Sequence, residues 1–226
     1  MLKLISSMAT RQVLAELATA WQKSSGVEVN IESVGGVDAA KRVQAGEAFD
    51  GVVLASDAID KLIASGQALA GSRVDLVHSS VAIAVKAGAA RPDISTEAAL
   101  RSAIEAAPTI GYSTGPSGTA LVKLFEKWGI LDAIKPRIVQ APPGVPVGTL
   151  VARGEVALGF QQFSELMHLE GIDLLGTMPE PVGITTIFSA AVCTVSAQGE
   201  PVSQLFAFMA SPDAAPIKTK HGMAAA

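Results

Sequence analysis

The sequence predicts an α/β protein of two lobes, each a mostly parallel sheet flanked by helices, with two strands carrying the chain from one lobe to the other and back. Three observations predict it. Apolar strand-like runs alternate with amphipathic stretches of about 10–15 residues, the pattern of βαβ units around a parallel sheet. That alternation occurs twice along the chain. A long β-rich stretch with no helix inside it follows each series, VDLVHSSVAIAVKAG after the first and TTIFSAAVCTV within Ile184 to Val195 after the second.

In the first series, Leu2 to Ile5 reads as a short apolar strand. Thr10 to Ser25 carries Val13, Leu14, Leu17, Ala18 and Trp21 on one helical stripe, and Gly26 stands where a helix would stop. Val27 to Val34 alternates as a second strand, Gly35-Gly36-Val37-Asp38 leads into a helix from about Ala39 to Ala45, and Phe49 to Leu54 is a third strand. Ser56-Asp57 opens a further helix through Ile59, Leu62 and Ile63 to Gly66. Val74 to Val77 and Val81 to Val85 form the first crossing stretch.

The second series has a helix near Glu97 to Ala106, a strand at Thr109 to Tyr112, the loop Gly115-Pro116-Ser117-Gly118-Thr119 and a helix to Trp128. A strand near Arg137 to Val139 follows, then Ala141-Pro142-Pro143-Gly144-Val145-Pro146, whose prolines forbid regular structure before a helix from about Val147 to Arg153. The strand Val156 to Phe160 ends in Gln161-Gln162. Ile172 to Leu175 comes before the second crossing stretch, and helices near Val202 to Ala210 and Pro212 to Lys220 close the chain. This assigns residues 1–80 with 188–226 to lobe one and residues 81–187 to lobe two.

Composition narrows the function. Of 226 residues, 49% are hydrophobic and 17% charged, enough to build a core. A net charge of -4 with no basic run disfavours nucleic acid and anionic membrane surfaces as partners. No apolar run reaches the roughly 18 residues of a membrane span, so membrane insertion is not expected. The opening MLKLISSMATRQV reads as a strand and helix start rather than a secretory leader. The protein is therefore expected in the periplasm if a leader has been removed, and otherwise in the cytoplasm. One cysteine, Cys193, allows no internal disulfide, and the scattered His78, His168 and His221 do not make a metal motif. Neither a metal nor a cofactor is expected, and the chain is expected to act as a monomer.

Four loops at the carboxyl ends of strands lead into helices: Ser6-Ser7-Met8-Ala9-Thr10, Gly35-Gly36-Val37-Asp38, Ser117-Gly118-Thr119 and Pro143-Gly144-Val145. In open α/β sheets this is the end that faces a ligand crevice. First-turn N–H groups, the positive end of a helix and neighbouring hydroxyls suit a small anion. The same residues are also ordinary N-caps. Gln161 and Gln162 are positioned to add amide donors at the mouth of an interlobe cleft. Asp38 reads either as a base or as a helix cap, and Arg11, Arg42 and Arg153 are the cations near the junctions. The loop Gly115-Pro116-Ser117-Gly118-Thr119 lacks the last glycine of a G-x-S-x-G elbow, and neither a nucleotide P-loop nor a dinucleotide fingerprint is present.

AKRVQAGEAFDGVVLASD (Ala40 to Asp57), the helix start at Ser117 and LVARGEVALGF (Leu150 to Phe160) resemble, over nearly the whole chain, the periplasmic molybdate-binding proteins of ABC importers. The resemblance implies two lobes of the periplasmic-binding-protein type closing over a small anion, with delivery to the membrane component of an ABC transporter. It places ligand contacts around Ser7 to Thr10, Gly35-Gly36, Ser117, Gly144 or Val145, and Gln162. The family's serine-rich second loop is Gly35-Gly36-Val37 here, a first-loop serine corresponds to Ala9, and a ligand tyrosine to Gln162. Each lost hydroxyl would leave an oxyanion lone pair unmet, at roughly 1–3 kcal/mol. GFQQFSEL (Gly159 to Leu166) and STGPSG are more similar to the branch of this fold that includes aconitate isomerase. That branch implies a carboxylate ligand and, as alternatives to transport, an isomerase with Asp38 or Glu165 as its base, or a cytoplasmic ligand sensor.

Overall fold

In the first βαβ unit, β1 (Leu2–Ser7) buries Leu2, Leu4, Ile5 and Ser6 and leaves Lys3 exposed, so its apolar residues fall on both faces of the strand. The computed structural model describes residues 1–142 and 144–226. The chain divides into two compact units, Met1–Ser79 with Ile187–Ala226, and Ser80–Thr186.

In the first unit β1 lies between β2 (Val29–Val34) and β3 (Gly51–Ala55), parallel to both. β9 (Thr185–Val192) runs antiparallel to β3. The helices are α1 (Arg11–Ser25), α2 (Gly36–Gln44), α3 (Ser56–Ala64), α9 (Gly199–Ala210) and α10 (Ala215–Lys220). Strand alternation sends Leu2, Leu4 and Val53 into a core shared with Val13, Leu14 and Leu17 of α1 and Phe206 of α9. Ile5, Val52 and Leu54 face the opposite core, with Ile59 and Leu62 of α3. Gly51 has no room for a side chain, since a Cβ there would lie 2.6 Å from both Leu4 and Phe206. The two halves of the first crossing stretch form one strand, β4 (Val74–Lys86), whose Val77 and His78 pair with the short β10 (Ala224–Ala225).

In the second unit β5 (Ile110–Tyr112) is parallel to both β6 (Ile138–Gln140) and β7 (Leu158–Gln162). Val81 to Ala84 of β4 pair antiparallel with β7, and β8 (Ile172–Thr177) also pairs with β4. On one face Ile110, Leu158 and Phe160 pack with Leu100 and Ile104 of α4 (Glu97–Ala106) and with Leu121 and Phe125 of α5 (Pro116–Lys127). The other face carries α7 (Val147–Arg153), laid close on Gly111 and Gly159. A Cβ would lie 2.4 Å from Val151 at Gly159 and 2.7 Å from Val156 at Gly111. The short α6 (Leu131–Ile134) and α8 (Phe163–Leu166) complete the unit.

Two boundaries differ from the sequence expectation in ways that matter for function. The helix expected from about Ala39 begins at Gly36, so Gly36, Val37 and Asp38 form its first turn. The strand expected over Val156 to Phe160 runs from Leu158 to Gln162, because Val156 N–H bonds back to Leu150 O while Gln161 and Gln162 pair with Ala82 and Val81. Pro143 of the fourth expected loop lies outside the described residues. Among the described residues no helix is long and apolar enough to cross a membrane.

Candidate functional site

Parallel strands place their carboxyl ends together, so the loops after β1 and β2 leave the same end of the sheet in the first unit, and those after β5, β6 and β7 do so in the second. In the first unit Ser6 and Ser7 belong to the strand itself, and Met8–Thr10 make one 3-10 turn before α1. Ser6 is fully buried, with its Oγ 2.8 Å from Ser33 Oγ on β2. The Thr10 hydroxyl donates to Ser7 O over 3.0 Å. Ser6 and Thr10 therefore tie the loop together. Ser7 and Met8 remain partly exposed, and Ser7 Oγ accepts from Ala9 N–H over 3.4 Å. Gly36, at the start of α2, abuts Ser7, since a Cβ on it would lie 3.8 Å from Ser7 Oγ. Gly35 is the N-cap of α2, and exposed Asp38 turns its Oδ2 back to within 3.4 Å of a Cβ placed on Gly35.

In the second unit Gly115 is the N-cap of α5, with Pro116 at its first position, so Ser117, Gly118 and Thr119 are the first turn of the helix. Ser117 is buried with its Oγ 3.4 Å from Ser113 Oγ, whereas Thr119 is exposed. Gly118 lets this turn close on the end of β5, because a Cβ there would come within 1.9 Å of Ser113 O. Gly144 has φ 78°, a left-handed conformation that suits glycine, and Val145 N–H donates to Pro142 O over 3.0 Å.

The two glutamines diverge, as neighbours on a strand must. Gln161 faces α7, where its Oε1 accepts from the first-turn N–H of Gly148 at 3.2 Å and its Nε2 donates to Glu165 Oε1 at 2.9 Å. Gln162 faces the side of the sheet that carries α5, and its Nε2 donates to Thr186 Oγ1 at 2.8 Å. Both glutamines are 3% exposed. Burial pushes the Glu165 carboxyl up to about 7, against the lowering effect of the Gln161 hydrogen bond. Asp38 and Glu165 belong to different units.

The expected cations are placed unequally. Arg42 is held by Glu32 and Glu47 and covers Phe49, a structural arrangement. Arg153 is exposed, with Glu155 3.9 Å away. His221 Nε2 lies 2.8 Å from Glu16 Oε2 on α1. Among the described residues no group of three or more His, Cys, Asp or Glu side chains could hold a metal ion.

Ser33, Ser113 and Thr186 were not singled out in the sequence. Ser113, directly after β5, could have been found by the rule that picked Ser6 and Ser7. Ser33 and Thr186 meet their partners across 27 and 24 residues, beyond any local pattern.

Paired α/β units with hydroxyls and helix starts gathered at the strand ends define the periplasmic-binding-protein class. The model of the bacterial extracellular solute-binding protein family matches residues 2–224, and the chain belongs to that family. An aconitate isomerase of Pseudomonas sp is 38% identical over 227 residues, covering 98% of this chain and 87% of that protein. Many solved structures share the fold. The periplasmic molybdate-binding protein of Azotobacter vinelandii has a TM-score of 0.81 at 22% identity, covering 99% of this chain and 98% of that one. The tungstate ABC transporter structure from Geobacter sulfurreducens has a TM-score of 0.77 at 18% identity, covering 97% of each chain.

Proposed function

We propose that this solute-binding protein captures a small oxyanion or carboxylate with the loops at its strand ends, and delivers it as a monomer to the membrane component of an ABC importer outside the cytoplasm. The observation that carries the reading is the start of α5, where the Ser113 and Ser117 hydroxyls lie beside the first-turn N–H groups of a 12-residue helix. These are neutral donors next to a partial positive charge, the means by which a protein of net charge -4 can hold an anion. Ser7, Met8 and the N-terminus of α2 at Gly35-Gly36 are the corresponding contacts in the first unit. Thr119, Gly144 and Val145 border the contacts of the second.

Thermal unfolding against molybdate, tungstate, sulfate, phosphate, citrate and cis- and trans-aconitate tests this. At about 100-fold over its Kd, a ligand of the native state adds roughly 2.7 kcal/mol, a rise of several degrees in Tm. No shift with any of them would refute the anion reading.

A second reading is an isomerase that moves a proton on a bound carboxylate. The Pseudomonas relative favours it, as does Glu165, whose value of about 7 suits a general acid or base at neutral pH. Proton NMR of cis-aconitate incubated with the protein would reveal the trans isomer. Glu165→Gln and Asp38→Asn then separate the two candidate bases, since only loss of the true base abolishes turnover while binding persists.

A further inference from the structure

Gln162 has one amide atom engaged and one left over. Its Nε2 donates to Thr186 Oγ1 at 2.8 Å, while Oε1 is buried without a hydrogen-bond partner among the described residues. The side chain is 3% exposed and Thr186 8%. A buried carbonyl oxygen with no donor is costly, and native structures rarely keep one without a reason.

Its position supplies the reason. Gly159 and Gln161 face α7, so Leu158, Phe160 and Gln162 face the side that carries α4 and α5. Phe160 is in register with Tyr112 on the neighbouring β5, and Tyr112 touches the α5 first turn at Gly118, where a Cβ would lie 2.8 Å from its Cδ2. Gln162 is two residues further toward the carboxyl end. It therefore stands on the face that carries α5, one strand over, at the end where Ser117 and the first-turn N–H groups lie.

We propose that Gln162, positioned by Thr186, determines specificity in the second unit by accepting a hydrogen bond from the ligand, and so selects a carboxylate that carries a donor, a hydroxyl or a carboxyl proton, over a fully ionised oxyanion. This rests on the anion-binding reading above. An amide oxygen repels an approaching anionic oxygen and welcomes an O–H. The second N–H of the same amide can donate to the ligand's adjacent carboxylate oxygen, so hydroxyl and carboxylate together match the amide edge. Molybdate or sulfate at neutral pH has acceptors alone.

Calorimetric titration of citrate, tricarballylate, which is citrate without the hydroxyl, and molybdate at pH 5.5 and pH 8 tests the proposal. The proteins compared are the wild type, Gln162→Met and the double variant Gln162→Met/Thr186→Val. If the donor is a hydroxyl, the wild type favours citrate over tricarballylate at least tenfold at both pH values. If it is a carboxyl proton, tricarballylate tightens at least tenfold from pH 8 to pH 5.5. Either preference should disappear in Gln162→Met. The double variant, which removes the lone oxygen and the hydroxyl it was paired beside, should melt a few degrees higher than wild type without ligand. A preference that survives in Gln162→Met overturns the proposal, as does wild-type binding of molybdate at least as tight as that of citrate. That last result would leave the anion-binding reading standing, whereas a wild type that binds none of the three at either pH overturns both.

Discussion

Replacing Glu165 by glutamine should make the protein more stable at pH 8 and leave it unchanged near pH 4.5. The Gln161 amide can still donate to the new side-chain oxygen, so the substitution removes the charge and keeps the shape. Burial carries the carboxyl from its ordinary 4.5 to about 7. Each tenfold change in proton affinity is worth about 1.4 kcal/mol, so ionised Glu165 costs the folded state up to roughly 3 kcal/mol. The sign follows from proton counting. Between about pH 4.5 and pH 7 the folded chain keeps a proton that the unfolded chain has lost, so stability falls as pH rises through this window and then levels off. For a chain of this size each kcal/mol moves Tm by about 2–4 °C, and the gap between variant and wild type should open to roughly 6–12 °C by pH 8. Scanning calorimetry of both proteins from pH 4.5 to pH 8 measures it, and all other titrations cancel in the difference. Parallel curves across that range would refute the assignment of a desolvated carboxyl to Glu165.

Gly118→Ala places a methyl 1.9 Å from Ser113 O, and should cost roughly 1–3 kcal/mol or more, read as a lower urea midpoint with an unchanged slope. Ser117→Ala and Ser7→Ala, on separate units, should each weaken the anion found by thermal shift by about fivefold, the worth of roughly 1 kcal/mol in one hydrogen bond, with little change in Tm of the free protein. Glu16 is held below the usual carboxylate range by hydrogen bonds from Lys220 and His221, so it stabilises the fold above its unfolded value and the benefit is lost as pH falls through the lower folded value. Glu16→Gln should accordingly lower Tm at pH 7, and the difference from wild type should vanish in acid.

The hydrophobic period alone determined much of this molecule. Val13, Leu14, Leu17 and Ala18, spaced as one helical stripe, are buried residues of α1, and the all-apolar Val52 to Leu54 is buried on both faces of β3. Glycines also marked real ends, as with Gly26 after α1 and Gly66 two residues after α3, both in the left-handed conformation. Such signals are legible because a helix face or a cap is completed within about four residues of sequence. The two-unit fold of the periplasmic-binding-protein class followed from the same alternation.

Tertiary structure decided the polar pairs. That Ser6 meets Ser33, that Gln161 joins Gly148 to Glu165, and that Gln162 meets Thr186 depends on which strands become neighbours and on their register. Whether Gln161 and Gln162 lie within β7 or beyond its end depends on pairing with Val81 and Ala82, some 80 residues earlier in the chain. A one-residue shift of that register would exchange the two glutamines between faces, sending Gln162 toward α7 and Gln161 toward α5. Side-chain chemistry is written residue by residue, but the face on which it acts is set by hydrogen bonds between segments distant in sequence.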